Sequence, residues 1–131
     1  MDAVVHFEIP AEKLARAQKF YSDVFDWKIQ KWPVPGSDME YYGCHTTEVD
    51  EKMMPKKTGE INGAIIQKDP TAPGPIITMN VKDIDESLEK IRQAGGEIVG
   101  EKLNIAGMGI YARAKDTEGN VISVWQAWKM E

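Results

Sequence analysis

The sequence predicts an α+β fold of two tandem βαβββ modules whose curved sheets surround a cavity. Three observations carry this expectation. The apolar pattern runs twice through the same order, one alternating segment, one segment of helical spacing, then three more alternating segments. A Pro-rich stretch, Asp69-Pro70-Thr71-Ala72-Pro73-Gly74-Pro75, separates the two runs, and its three prolines and one glycine exclude helix and sheet interior. One helix per module covers one sheet face and leaves the other free to curve around something. The chain reads as one domain, residues 1–131, with module one at 1–68, a linker at 69–75 and module two at 76–131.

Residues 4–9 read as a strand ended by Pro10. Residues 11–25 read as a helix, with Leu14, Ala17, Tyr21, Val24 and Phe25 forming its apolar stripe. Residues 27–32 alternate and suit a strand. Pro33 to Ser37 is a turn, because proline removes donors and glycine permits positive φ. Strands follow at 39–47 and 61–67, with a polar, Met-containing loop at 50–58 between them. In module two, 76–81 is a strand and 83–94 a helix with Ile84, Leu88 and Ile91 as its stripe. Asp83 with Glu86 resembles a capping box, and Gly95-Gly96 ends the helix. Strands at 97–102, Gly109–Lys115 and Val121–Ala127 close the chain, the last two joined by the turn Asp116-Thr117-Glu118-Gly119-Asn120.

The composition narrows the function. Of 131 residues, 28% are charged and 42% apolar, the balance of an ordinary globular chain able to bury a core without metal or disulfide support. The net charge of −5 and the diluted basic cluster Lys52, Lys56, Lys57 argue against nucleic acid. No apolar run approaches a membrane span, and the N-terminus lacks a secretory pattern. The lone Cys44 cannot form an internal disulfide. It reads as a small packing residue rather than a nucleophile, since its neighbour His45 points to the opposite face. A cytoplasmic location is expected.

The order of elements, the segment Ala17-Gln18-Lys19-Phe20-Tyr21-Ser22-Asp23-Val24-Phe25-Asp26-Trp27, the segment Val81-Lys82-Asp83-Ile84-Asp85 and the late Asp-Thr-Glu-Gly-Asn turn together resemble the vicinal oxygen chelate superfamily. That group contains glyoxalase I, bleomycin-resistance proteins and extradiol dioxygenases. The likeness spans nearly the whole chain. Asp26 stands where the family's helix ending carries Gly, and Thr117 where its turn carries Pro.

Strand parity places Val4, His6 and Glu8 on the concave face of the first strand, and Val5, Phe7 and Ile9 beneath the first helix. In the fifth strand it places Ile76, Thr78 and Asn80 toward the cavity, and Ile77, Met79 and Val81 beneath the second helix. Metal-dependent relatives draw His, Gln or Glu ligands from this concave face. Counting back from Ile9 puts the first ligand position at Val4, with His6 two residues on and on the same face. The matching position in module two is Ile76, the one after the Gly-Asn turn is Ser123, and the third strand of module one offers only Gln67. Isoleucine cannot coordinate and serine is a poor ligand. No metal ligand and no cofactor are therefore expected, with a divalent ion as the alternative.

The expected ligand-binding residues are His6, Glu8, Thr78, Asn80, Ser123 and Trp125, the last sharing a face with Ser123. His6 and Glu8 are the candidate acid–base pair; the other reading of His6 is a hydrogen-bonded, half-buried histidine. Trp32 and Trp128 suit a subunit interface. Gly107-Met108-Gly109 reads as a flexible hairpin entry and 50–58 as a surface loop, the alternative being a lid. The expected function is a glyoxalase/bleomycin-resistance-like protein that binds a small organic molecule in its cavity, as a homodimer. The alternatives are a metal-dependent lyase or dioxygenase of glyoxalase type, with His6, Glu8 and Gln67 around the ion, and a protein-interaction module.

Overall fold

The computed structural model describes residues 1–128. Module one comprises β1 (Val4–Ala11), α1 (Leu14–Phe25), β2 (Lys28–Trp32), β3 (Tyr41–His45) and β4 (Asn62–Gln67). Module two comprises β5 (Ile76–Asn80), α2 (Ile84–Gln93), β6 (Glu97–Ile105), β7 (Gly109–Lys115) and β8 (Val121–Ala127). All eight strands join one curled sheet in the order β2-β3-β4-β1-β5-β8-β7-β6. Within each module the first strand runs parallel to the last, β1 with β4 and β5 with β8. The modules meet where β1 pairs antiparallel with β5. Among the described residues no helix is long and apolar enough to cross a membrane.

The expected elements are present, and the departures have local causes. β1 runs through Pro10 to Ala11 instead of stopping before it. The Ala11 carbonyl accepts from the Lys68 amide at 2.9 Å, so the alternation of the strand turns the Pro10 nitrogen toward the other side. There the pairing with β5 has already ended at Glu8↔Ile76, and no ladder bond is lost. β6 continues past residue 102 because Gly100, at φ +75°, absorbs a register shift between Val99 and Leu103. The expected flexible entry at Gly107 is a tight β6–β7 turn with positive φ at Ala106 and Gly107, capped by the Asn104 side chain.

Parity fails at one position of β1. Val4 pairs with Met79 and His6 with Thr78, so a bulge lies between them. Residues directly opposite share a face, and this turns Val4 to the convex side with Met79. His6 and Glu8 keep the concave face.

On the convex side α1 packs over β4 and β2, while α2 packs over β6, β7 and β8. Asp83 caps α2 by accepting from the Glu86 amide, and the Gln126 side chain accepts from Ile84. Ile84 and Leu88 are buried against Val81, Ala112 and Val124, with Met79 and Ile91 beside them. The stripe of α1 is only partly covered. Val24 and Phe25 are more than half exposed, because Trp27 folds back beneath the helix, stacking on Tyr21 and touching Phe7. Ile77, expected under α2, is also exposed, since neither helix spans the seam strands.

The concave side holds the other core. Tyr41, Ala64, Ile66, Ile76, Ile105 and Tyr111 fill it, with Val34 from the β2–β3 loop and Ala72 from the linker. The amide of Ala106 donates to the carbonyl of Pro33 at 2.7 Å. These residues follow β6 and β2, the two edges of the sheet, so this bond draws its edges together at one end. Trp32 lies in this core, over Gly43 and against Tyr41, and not at a free surface. Trp128 remains exposed. The 50–58 loop is organised by Asp50, whose carboxylate accepts from the Lys52 and Met54 amides.

Asp26 ends α1 in the left-handed conformation, at φ 58° and ψ 31°. A side chain costs about 1 kcal/mol there relative to glycine, partly offset by the greater freedom of glycine in the unfolded chain. The exposed Lys28–Asp26 ion pair adds little. Asp26→Gly should therefore stabilise the protein by about 0.5 kcal/mol, read as a higher midpoint in urea; a lower midpoint would show that Asp26 holds the helix end by its side chain.

Candidate functional site

The concave face gathers polar groups from both modules into one buried network. β1 supplies His6 and Glu8, β3 supplies Tyr41, β5 Thr78, β7 Tyr111 and Arg113, and β8 Ser123. Alternation along each strand aims these side chains inward, and pairing aligns Glu8 with Ile76 and Thr78 with Ser123.

The direction of the network follows from donor chemistry. Arg113 Nε lies 2.7 Å from the Tyr111 hydroxyl, and a guanidinium can only donate. The Tyr111 proton is therefore free for Glu8 Oε1, at 2.5 Å. Arg113 Nη1 donates to Thr71 Oγ1 at 3.0 Å, which ties the network to the linker. The Tyr41 hydroxyl meets His6 Nε2 at 2.8 Å. Thr78 and Ser123, both buried, share a hydroxyl–hydroxyl bond of 2.6 Å. Glu8 Oε2 is the one buried side-chain oxygen or nitrogen among the described residues without a partner.

Burial sets the electrostatics. It pushes the Glu8 carboxyl above its ordinary range, against the opposing pull of the Tyr111 hydrogen bond and the Arg113 charge; Tyr41 and Ser123, close by, also favour the ionised form. Burial lowers His6 to about 4, so its ring is neutral at neutral pH. Burial holds Tyr41 and Tyr111 well above the usual phenol range. It likewise raises the Cys44 thiol to about 12, which leaves it unreactive.

The structure brings together four of the six residues expected from the sequence: His6, Glu8, Thr78 and Ser123. Trp125 packs on the rim of the same core, with its ring over Gly109. Asn80 pairs with Trp125 in the sheet but is exposed and makes no side-chain bond here. Tyr41, Tyr111 and Arg113 were not expected. The alternation of Tyr111 and Arg113 on one face of β7 was the available signal, but it carries meaning only once that face is known to meet β1. His45 shares the inner face with Tyr41 and Gly43 and meets Trp32 edge-on.

The positions at which the resemblance implies metal ligands carry few donors. His6 and Glu8 are two, Ile76 and Ser123 add none, and Gln67 has the opposite parity to Ala64 and Ile66 and donates to the Glu12 carbonyl. Among the described residues no group of three or more His, Cys, Asp or Glu side chains is placed to hold a metal. The expected cavity is also largely filled, because Val34, Ala72 and Ile105 occupy it. A cleft of about 410 Å³ lies at its mouth, with Arg113 on one wall and Asp38, Glu40 and Asp69 around it.

Comparison with known proteins places this geometry among relatives. A family model described as the Glyoxalase/Bleomycin resistance protein/Dioxygenase superfamily matches residues 3–124. A "Glyoxylase-like domain-containing protein" from Didymella fabae is 27% identical over 121 residues, covering 89% of this chain and 88% of that protein. "Putative glyoxylase CFP32" from Mycobacterium bovis is 29% identical over 116 residues; the match covers 85% of this chain but only 40% of that longer protein. Among solved structures, methylmalonyl-CoA epimerase from Mycobacterium tuberculosis superposes with a TM-score of 0.66 at 14% identity, covering 96% of this chain and 88% of that one. At that identity the likeness is one of fold.

The two shifted groups oppose each other with pH. His6 favours the folded state above its unfolded value of 6.5, and this contribution is lost as pH falls toward about 4. Glu8 holds its proton longer when folded, so its contribution is full below its unfolded value of 4.5 and is lost as pH rises through the elevated folded value. Glu8→Gln keeps an acceptor for Tyr111 and cannot ionise. Its melting temperature should match the parent's near pH 4 and exceed it increasingly as pH rises above 4.5. A difference that stays constant across the range would show that Glu8 titrates normally.

Proposed function

Because the chain belongs to the Glyoxalase/Bleomycin resistance protein/Dioxygenase superfamily, we propose that it binds a small organic molecule on its concave face without the metal ion that many relatives use. The observation that carries this reading is the donor set, in which Ile76 and Ser123 occupy positions the resemblance reserves for ligands. The face instead offers a protein-borne carboxyl, two hydroxyls and the rings of Trp32, Tyr41 and Trp125, a mixture suited to burying and orienting a flat molecule. The cleft beside Arg113, lined also by Met39 and Leu103 at the edge of this face, is the space open to it. A cytoplasmic setting belongs to the same reading and agrees with the buried free thiol of Cys44.

Metal loading tests the proposal. Protein dialysed against zinc, nickel, manganese or iron(II) and then desalted should retain no stoichiometric ion, and chelator should leave its Tm unchanged. One ion per chain, lost in His6→Ala, would overturn the reading in favour of metal-dependent lyase or dioxygenase chemistry.

The proposal includes a homodimer. Val4 and Ile77, at 46% and 49% exposure, lie on a convex seam that neither helix spans, an apolar patch that a second copy of the chain would cover with the same patch of its own. The parent should sediment as a dimer at micromolar concentration and Ile77→Asp as a monomer. A monomeric parent would remove this part of the proposal.

A further inference from the structure

The cleft at the edge of the concave face is open space, and half-buried Arg113 lines it. A guanidinium carries five N–H donors and no acceptor. Two donors of Arg113 are committed, Nε to the Tyr111 hydroxyl at 2.7 Å and one Nη1 hydrogen to Thr71 Oγ1 at 3.0 Å. The remaining three, one on Nη1 and two on Nη2, meet no protein acceptor among the described residues. No carboxylate of the described residues forms a direct ion pair with it either. Two acids reach its charge only through a hydroxyl. Tyr111 stands between Arg113 and Glu8, and Thr71 stands between Arg113 and Asp69, donating to Asp69 Oδ1 at 2.6 Å. Partial burial removes hydration from the guanidinium, and no ionised group replaces it by direct contact. An anion in the cleft would therefore meet uncommitted, charged donors.

We propose that Arg113 anchors the carboxylate of a small monoanionic ligand whose apolar body lies against Met39 and Leu103. This rests on the reading that the concave face binds a small organic molecule, and it names the charge and shape that the open cleft selects. The donors of a guanidinium lie in one plane, a geometry that a carboxylate matches and a compact ammonium cannot offer in its place. Met39 and Leu103 line the same cleft and pack on the edge of the core, so they supply an apolar wall. The volume of about 410 Å³ is near the lower end of small-molecule sites and suits a single ring. The acids of the rim limit the ligand to one negative charge. Asp38, Glu40 and Asp69 are all exposed, so water and salt screen them. Glu40 also pairs with Lys31 at 3.8 Å, and Asp69 accepts from the Thr71 amide and hydroxyl. Their combined field still opposes a dianion. A cation would approach Arg113, the charge in the cleft that water screens least.

Isothermal titration calorimetry with benzoate, its neutral isostere benzamide, benzylamine and inorganic phosphate separates the possibilities. Benzoate should bind at one site per chain and about tenfold more tightly than benzamide, the worth of a charge-assisted hydrogen bond. Arg113→Lys keeps the charge and loses the planar fork, so it should weaken benzoate about tenfold and leave benzamide within about twofold. Arg113 also holds Tyr111 and Thr71, so a second variant is read beside it. Asp38→Asn, at an exposed rim position, should tighten benzoate about twofold at low salt by removing one like charge. Benzamide, benzylamine or phosphate binding as tightly as benzoate would overturn the carboxylate subsite and leave the concave face as a binding site, as would a benzoate affinity unchanged in both variants. Benzoate that fails to bind up to about 10 mM, the weakest affinity expected of a ligand this small, would also overturn the subsite. The wider reading is decided separately, by metal loading.

Discussion

The burial of the Glu8 carboxyl is the constraint on which the rest of the interior is organised. A carboxyl can be taken out of water only where donors replace its hydration, and β1 cannot supply them itself. They come from the other module: Tyr111 reaches across from β7, held in turn by Arg113. The two modules are therefore joined by more than the β1–β5 ladder. A polar chain crosses the seam on the inside, and it ends on Thr71 in the linker that connects the modules covalently. Moving either module relative to the other would strand a buried charge or a buried phenol, which costs more than the bond itself contributes.

Around that chain the apolar packing closes the half-barrel. A curled sheet with helices on one side leaves a hollow on the other, and here the chain fills it with its own loops. Val34 and Ala72 insert from connections that are otherwise exposed and rich in proline. Pro33 accepts from Ala106 and draws the two sheet edges together. Close approach sets the residue types: a Cβ on Gly43 would lie 2.4 Å from the Trp32 ring, so only glycine lets that indole lie flat against the sheet. The Glu8 network thus sits at the bottom of a packed interior whose mouth is the Arg113 cleft.

The superfamily's fold is retained through nearly the whole chain, while the inner face carries hydroxyl, aliphatic and aromatic groups with two histidines, His6 and His45, and the carboxyl of Glu8. A metal ion polarises substrate oxygens through its own charge. The groups on this face offer hydrogen bonds and ring contacts, and burial keeps His6 neutral and raises the proton affinity of Glu8. In the reading we propose, those groups hold a small molecule by hydrogen bonds and ring contact.

Periodicity and punctuation determined the architecture by themselves. The alternation of β5, β7 and β8, the Asp83 cap of α2, the Pro-rich linker and the inward aim of His6, Glu8, Thr78 and Ser123 are local properties of strand and helix geometry, so they are legible without the fold. Tertiary structure decided what those side chains meet. The bulge that turns Val4 outward depends on how β1 registers against β5, a partner more than seventy residues away along the chain. Tyr111 lies 103 residues from Glu8, and Tyr41 lies 35 from His6. No local pattern encodes those pairings, because they arise only when the two halves of one sheet curl toward a shared interior. The same holds for the filled cavity: Val34 and Ala72 look like ordinary loop residues until the sheet edges close around them. Spacing along a chain specifies which way a side chain points, and only the packed fold specifies what lies at the other end.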